Sequence, residues 1–348
     1  MRGGWMKYWV RRAALAMLLL MTAAGAWGQP PDSVRNVMRW SFWRDKVIRL
    51  EELLDMRDGR INYDTLYMKR TSKGLRLRLS VKSYGSGIDI RGVYQDSDFK
   101  SHFDAMNKYT VSVSANYRGL ALSLALNPGK LSGRNKDFEV TLNSYGNRLG
   151  AELVFQTANT FRGTVTTGTD TSPISTGVVG QDMFMVNGYY AFGGKRFSYP
   201  AAFGQSWRQI KSCGSWMIGV SLFGRHLDIG ENEAMGTDGA RISNFCIGIG
   251  PGYGYNFVLR KGWLLHVSAQ PELVVYNYNK LKVAGGESVM SSRFPDFATI
   301  GRLSVSRTFR RYFAGLFSVV DLYNLGNPED LEIQNVKWQA CVFFGVLL

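Results

Sequence analysis

The sequence predicts an all-β fold: a transmembrane antiparallel up-and-down β-barrel of about 12 strands, with 14 as the neighbouring even count. A cleaved signal peptide and a short N-terminal amphipathic helix precede it. Three observations carry this. First, the C-terminal stretch QNVKWQACVFFGVLL is apolar at every second position: Leu348, Val346, Phe344, Val342, Ala340, Trp338 and Val336. Successive strand residues point to opposite faces, so one face of this strand is apolar over its full length, as a bilayer requires. Second, the same alternation recurs along the chain from Gly74. Third, the N-terminus reads as a secretory leader. Arg2, Lys7, Arg11 and Arg12 precede the apolar run AALAMLLLMTAAGA, and the small residues Ala26 and Gly28 offer a cleavage site. That run is too short and too rich in alanine for a comfortable spanning helix.

The organisation follows in order. Residues 1–28 form the leader, 29–73 a periplasmic segment and 74–348 the barrel. Within the segment, residues 33–58 have a helical period. Val37, Trp40, Trp43, Val47, Leu50 and Leu54 share a face, and Arg39, Arg44, Lys46, Arg49, Glu51 and Glu52 fill the rest. Such a helix suits a membrane surface, and equally a place across the barrel mouth or a spacer.

Strands begin with LRLRLSVK. Leu75, Leu77, Leu79 and Val81 would face lipid, and Arg76, Arg78 and Lys82 a polar lumen. Residues 109–117 and 120–127 form a pair around Arg118-Gly119. Residues 137–145 and 148–156 form another around Gly146-Asn147, with Glu139 and Glu152 on the face opposite the apolar one. Buried charges need partners, so these carboxylates are expected to pair with Arg76 and Arg78. Residues 157–180, rich in Thr, Ser and Gly, read as a long outward loop. Further strands are expected at 182–192, 195–204, 215–225, 243–258, 263–277, 297–309, 312–322 and 335–347. Residues 95–108, 227–241 and 278–296 would be polar connections. Barrels alternate short periplasmic turns with long outer loops. The alternation holds to residue 192 and again from 243, but the two runs are out of phase, so one strand in this list is misplaced.

The formal net charge is +15, of which the leader holds four positive charges. A basic surface favours anionic partners. In an exported barrel these are outer-membrane lipids and lipopolysaccharide phosphates, not nucleic acid, with the insertion machinery as the assembly partner. The bland alternative is solvated lysines and arginines. Cys213, Cys246 and Cys341 lie far apart without metal-ligand spacing, so buried, unpaired thiols are expected.

Few motifs carry chemistry. Gly248, Gly250, Gly252 and Gly254 lack the βαβ setting of a dinucleotide loop. On a strand they form a smooth lane that allows close backbone approach or strong curvature. His266 and Ser268, two apart in LLHVSAQPELVV, share a strand face with Gln270 and Glu272. The His-x-Ser spacing is similar to that of outer-membrane phospholipases and lipid A deacylases. There a strand histidine serves as base for a strand serine, and a third group orients the histidine. Here the pair lies opposite the lipid-like face of Leu265, Val267, Ala269 and Leu273, as a polar lumen lane would. His102 and His226 have no ligand partners nearby in sequence. Asp228, Glu231 and Glu233 would bind calcium only as part of an outer loop. No metal or cofactor is expected.

Several stretches together resemble a Bacteroidetes outer-membrane β-barrel family, the 4421 domain-of-unknown-function family. They are YDTLYM, LRLRLSVKSY, YRGLALSLAL, DFEVTLNSYGNRLGAELVFQ and KRFSYPAAFGQSWRQIKSCGSWMIG. The resemblance implies an exported barrel in the outer membrane and brings no catalytic residues with it. The chain ends Leu347-Leu348, where outer-membrane barrels usually end on an aromatic residue. The expected role is therefore non-enzymatic: narrow pore, surface binding or envelope structure. The alternative is an outer-membrane lipid hydrolase using His266 and Ser268.

Overall fold

A computed structural model describes residues 62–71, 75–94, 97–105, 107–117, 120–126, 138–167, 169–230, 239–283, 286–290, 294–327 and 331–348. The expected leader and the helix at 33–58 lie outside them. The compact unit treated below runs from Tyr63 to Leu348.

Its elements in chain order begin with β1 (Met68–Arg70), β2 (Leu75–Tyr94), β3 (Ser97–Ala105), β4 (Lys108–Tyr117) and β5 (Leu120–Leu126). Next come β6 (Phe138–Tyr145), β7 (Leu149–Ala158), β8 (Phe161–Thr167), β9 (Asp170–Ile174) and β10 (Val179–Ala191). A short helix, α1 (Tyr199–Phe203), is followed by β11 (Trp207–Gln209), β12 (Cys213–Ile229), β13 (Ala240–Val258) and β14 (Trp263–Val283). The chain ends with β15 (Gly286–Met290), β16 (Asp296–Phe309), β17 (Tyr312–Asn327) and β18 (Leu331–Leu347).

All but β1 and β11 belong to one antiparallel sheet. Among the described residues, twelve strands run its full course, in the order β5-β4-β2-β18-β17-β16-β14-β13-β12-β10-β7-β6. The first and last strands of the chain's barrel segment, β2 and β18, pair from Arg76 opposite Leu347 to Gly92 opposite Leu331. That pairing curls the sheet into a barrel. Its two ends are β5 and β6, and no ladder among the described residues joins them.

Alternation decides which face is which. On β18, Val336, Val342 and Phe344 are exposed, while Lys337, Cys341 and Phe343 are buried inside. Leu79 and Val81 on β2 are likewise exposed and Arg76 and Ser80 buried. The outer face is thus an apolar belt and the inner face polar, the reverse of a soluble barrel and the pattern a bilayer selects.

Short connections cluster at the end that carries Leu75 and Leu348: between β6 and β7, β13 and β14, and β16 and β17. By the usual asymmetry this is the periplasmic end. At the opposite end the strands overshoot. The extension of β2 pairs with β3, β3 with β8 and β8 with β9, while β15 adds to β14. The stretch 157–180, expected to be a loop, therefore carries two strands. Its threonines are β-branched and suit a ladder, and the alternation that betrays a membrane strand is not needed outside the bilayer. The same holds for 95–108 and 278–296.

The misplaced strand is 195–204. It does not cross the membrane. After Ala191 the chain turns at Gly193 and Gly194, and Pro200 sits in the first turn of α1, which together with β11 folds into the barrel mouth. β11 pairs there with β1 in a separate two-stranded sheet. With 195–204 removed, the strands before and after it fall into a single phase.

Candidate functional site

The lumen is filled in layers, each supplied by alternate residues of the wall. At the periplasmic mouth lies α1, whose five residues are all buried. Tyr199 stacks at 4.5 Å from Tyr189 and 5.2 Å from Phe203, and Phe203 packs edge-on to Phe317 at 5.8 Å. Polar groups of the wall hold its backbone. Arg78 donates to the Phe203 carbonyl at 2.9 Å and Ser304 to the Ala202 carbonyl at 2.8 Å. Both acceptors lie at the C-terminal end of the helix, where carbonyls lack helical partners. Arg78 also lies 3.9 Å from the centre of the Phe343 ring, so its charge is met by a π face.

Beside α1 runs a hydrogen-bonded chain. The Asn256 Nδ2 group donates to the Ser198 carbonyl at 2.9 Å and to Gln209 Oε1 at 3.0 Å. Both its N–H groups being used, its Oδ1 faces His266 Nδ1 at 2.7 Å. An amide oxygen only accepts, so His266 carries its proton on Nδ1. Its Nε2 is then an acceptor, 3.0 Å from Ser268 Oγ. Ser268 donates to it, and Tyr199 Oη, 3.2 Å away, donates to Ser268. Asn256, His266 and Ser268 are all buried. Asn256 pairs directly with His266 across the β13–β14 hairpin, whose turn holds Lys261 and Gly262 at positive φ. Each is five residues from Lys261, and that symmetry is the signal by which Asn256 could have been found from sequence.

The next layer is charged. Arg302, opposite Ser268 in the β14–β16 ladder, reaches Glu152 at 3.5 Å, and Lys337 reaches Glu139 at 3.7 Å. The expected partners of these carboxylates were Arg76 and Arg78. Instead Arg78 is committed to Phe203 and Phe343, and Arg76 lies 3.5 Å from the Thr71 hydroxyl at the mouth. The carboxylates lie deeper than those arginines, level with Arg302 and Lys337. Lys82 is half-buried on the same strand. Glu272 accepts from Ser221 and, at 2.5 Å, from Gln270. Gly219, Gly248 and Gly252 leave the room these two side chains occupy, and Gly250 lets the β14 backbone come close. A Cβ on Gly250 would strike the Pro271 carbonyl, and one on Gly219 the Gln270 amide. The glycine lane is thus a close-approach surface, with a bulge at Ile247/Gly248.

Beyond this layer the lumen holds apolar clusters together with buried polar side chains, Arg225 donating to Asn244 Oδ1 at 2.9 Å and Asn244 to Asn279 Oδ1 at 2.6 Å. Val154, Met185, Phe223, Val274 and Tyr323 form one cluster, and Ile88, Phe103, Phe161, Leu227, Ile242 and Ile333 another at the outer end.

The remaining sequence candidates lie apart. His102 contacts Asp89 at 2.7 Å and Asp104 at 3.0 Å on the outer extension. His226 contacts Ser243 at 2.9 Å, and Asp228 pairs with Arg241. Glu231 and Glu233 lie outside the described residues. Among the described residues no cluster of His, Cys, Asp or Glu could hold a metal ion. Cys213, Cys246 and Cys341 are free thiols; Cys246 and Cys341 are buried as expected, whereas Cys213, at the start of β12, is only half-buried.

An apolar outer belt, short turns at one end and a polar inner face define an outer-membrane β-barrel. Residues 62–346 match the family described as a domain of unknown function (DUF4421), and the chain belongs to that family. Solved structures similar to it include the outer-membrane protease OmpT of Escherichia coli, at 7% identity and a TM-score of 0.44, covering 80% of this chain and 98% of that one. The translocator domain of the autotransporter NalP of Neisseria meningitidis is similar at 9% identity and a TM-score of 0.32, covering 88% and 98%. The outer membrane protein OprG of Pseudomonas aeruginosa is similar at 11% identity and a TM-score of 0.29, covering 80% and 97%. No curated protein matches the sequence.

Proposed function

We propose that the protein is a closed outer-membrane barrel that works at the membrane surfaces as a binding or structural component, and not as an open pore. One observation carries this: among the described residues the inner face holds the buried helix α1 at one mouth, the Arg302–Glu152 pair deeper in and a buried apolar cluster toward the outer end. Barrels of this size have no obligatory channel, because side chains can fill the interior. Its partners on this reading are outer-membrane lipids and the anionic phosphates of lipopolysaccharide, which the basic chain attracts, with the insertion machinery during assembly. A cleaved leader would bring it to the outer membrane. A lipid hydrolase working on the bilayer is not favoured, because His266 and Ser268 face inward and the neighbouring Val267 faces out.

Planar-bilayer recording tests this. The wild-type protein, shown to be folded by faster gel mobility unheated than boiled, should stay silent at all voltages. Steady unit conductance from it would sink the closed-barrel reading.

A further inference from the structure

The Asn256–His266–Ser268 chain has more order than polar satisfaction asks for. Asn256 fixes the histidine tautomer, the histidine accepts from the serine, and the serine accepts from Tyr199, which lies over it. Those are the parts of an activated nucleophile: a hydroxyl, a base within hydrogen-bond reach and a group that orients the base. A fourth part is present. Arg302 lies opposite Ser268 in the ladder, is buried, and has an Nε that makes no hydrogen bond. A donor left unpaired in the interior is costly, and one beside a nucleophile can meet the negative charge of an acyl-transfer intermediate.

A cavity lies next to the site, separated from it by the α1 segment. At the periplasmic mouth a half-open cavity of about 350 Å³ lies between α1, β11 and the wall of β13, β14 and β16. Its lining includes Leu264 and Ser306, one inward-facing step along their strands from His266 and Ser304. Ala201 and Gln205 of the α1 segment form the partition. Trp207 and Ile210 give it apolar walls, and it contains Lys69 and Arg208 with no carboxylate.

We infer that Asn256, His266 and Ser268 form a serine esterase site under the lid of Tyr199, reached from the periplasmic cavity by a small carboxylic ester with an anionic group. Ser268 Oγ attacks the ester carbonyl carbon as its proton passes to His266 Nε2, and the resulting oxyanion faces Arg302. The carbon–oxygen bond to the alcohol breaks, and the alcohol leaves with the proton from His266. Water, giving a proton to His266, then cleaves the acyl–serine bond. Acid and free Ser268 are regenerated, so ester and water become acid and alcohol. The lid must withdraw for each turnover. This inference goes beyond the closed-barrel reading and does not depend on it, since the site is scored by labelling and not by conductance.

The test is a fluorophosphonate probe on the full-length, detergent-folded protein, with the adduct mapped by mass spectrometry. Ser268 should be labelled, about tenfold faster in Tyr199→Phe, which removes one buried hydrogen bond from the nucleophile. Labelling should vanish in Ser268→Ala and His266→Gln, while Ser243→Ala, which contacts His226 away from the site, labels as wild type. Heat-modifiable mobility establishes that each variant is folded. No adduct at Ser268 in either folded wild type or folded Tyr199→Phe overturns the assignment. The substrate class is read from nitrophenyl hemisuccinate against nitrophenyl butyrate. The anionic ester should be preferred, and the preference lost in Lys69→Gln/Arg208→Gln; equal rates in wild type overturn the anionic class.

Discussion

Glu152 on β7 and Arg302 on β16 approach to 3.5 Å across the inside of the barrel, although four strands separate theirs in the sheet. The contact therefore spans the lumen rather than following the wall. Both side chains are almost wholly buried. The attraction of such a pair is offset by the desolvation of both ions, so its presence alone says little about net stability. Removing one partner is different. Arg302→Ala should destabilise the folded barrel by about 3–5 kcal/mol, because Glu152 is left charged and unpaired. Arg302→Met with Glu152→Leu should recover most of that loss. Urea unfolding in detergent, followed by gel mobility, measures both, and a double variant no better than the single would contradict the pairing.

The wall of the barrel was legible in the sequence and its filling was not. Leu79, Val81, Val342 and Phe344 announce a lipid face because a bilayer leaves no choice but strict alternation over a whole strand. KRFSYPAAF, by contrast, alternates well enough locally to pass for a strand. What rules it out is the count of crossings around the whole barrel, which no local pattern contains. The carboxylate partners were missed for a related reason. Arg76 and Arg78 lie at the wrong depth, whereas Arg302 and Lys337 come from strands far along the chain and level with Glu152 and Glu139. Half of the relay, His266 and Ser268, could be read from one strand. Asn256 required the register of a hairpin.

The glycine lane makes a sharp prediction. A Cβ at Gly250 would strike the Pro271 carbonyl, a backbone atom that cannot swing aside, whereas one at Gly301 would meet only the Val320 carbonyl at 3.9 Å. Gly250→Ala should therefore cost about 1–3 kcal/mol of barrel stability by overpacking. Gly301→Ala should be nearly neutral. The urea midpoints of the two variants, compared at equal m-value, decide it.

His102 on the outer extension supplies a pH dependence. Its hydrogen bond to Asp89, joined by one to Asp104, holds the imidazolium above the ordinary histidine range despite partial desolvation. A raised folded-state value means that the folded hairpin of β2 and β3 binds the proton more tightly than the unfolded chain. The added stability is fully present below the ordinary value of about 6.5 and is lost as pH rises through the folded value. NMR titration should place His102 above a free histidine, and Asp89→Asn should bring it down. Amide exchange in the hairpin, corrected for intrinsic rate, should quicken from about pH 5 to about pH 8 in wild type only. An unshifted titration would remove the interaction.

The lipid-facing assignment can be tested at one residue. Val342 is 64% exposed on β18, opposite Val81, which is 48% exposed. In water, two apolar side chains so exposed on paired strands would be a liability; in a bilayer they are solvated by lipid tails. Val342→Arg should then lower folding stability in lipid vesicles by about 2–4 kcal/mol if the site lies near the midplane. Val342→Leu should leave it unchanged within about 0.5 kcal/mol, because a lipid-facing position has no fixed neighbours to clash with. The second variant separates the alternatives. If β18 packed Val342 against protein, the added methylene would strain that packing and Leu would cost about 1–3 kcal/mol.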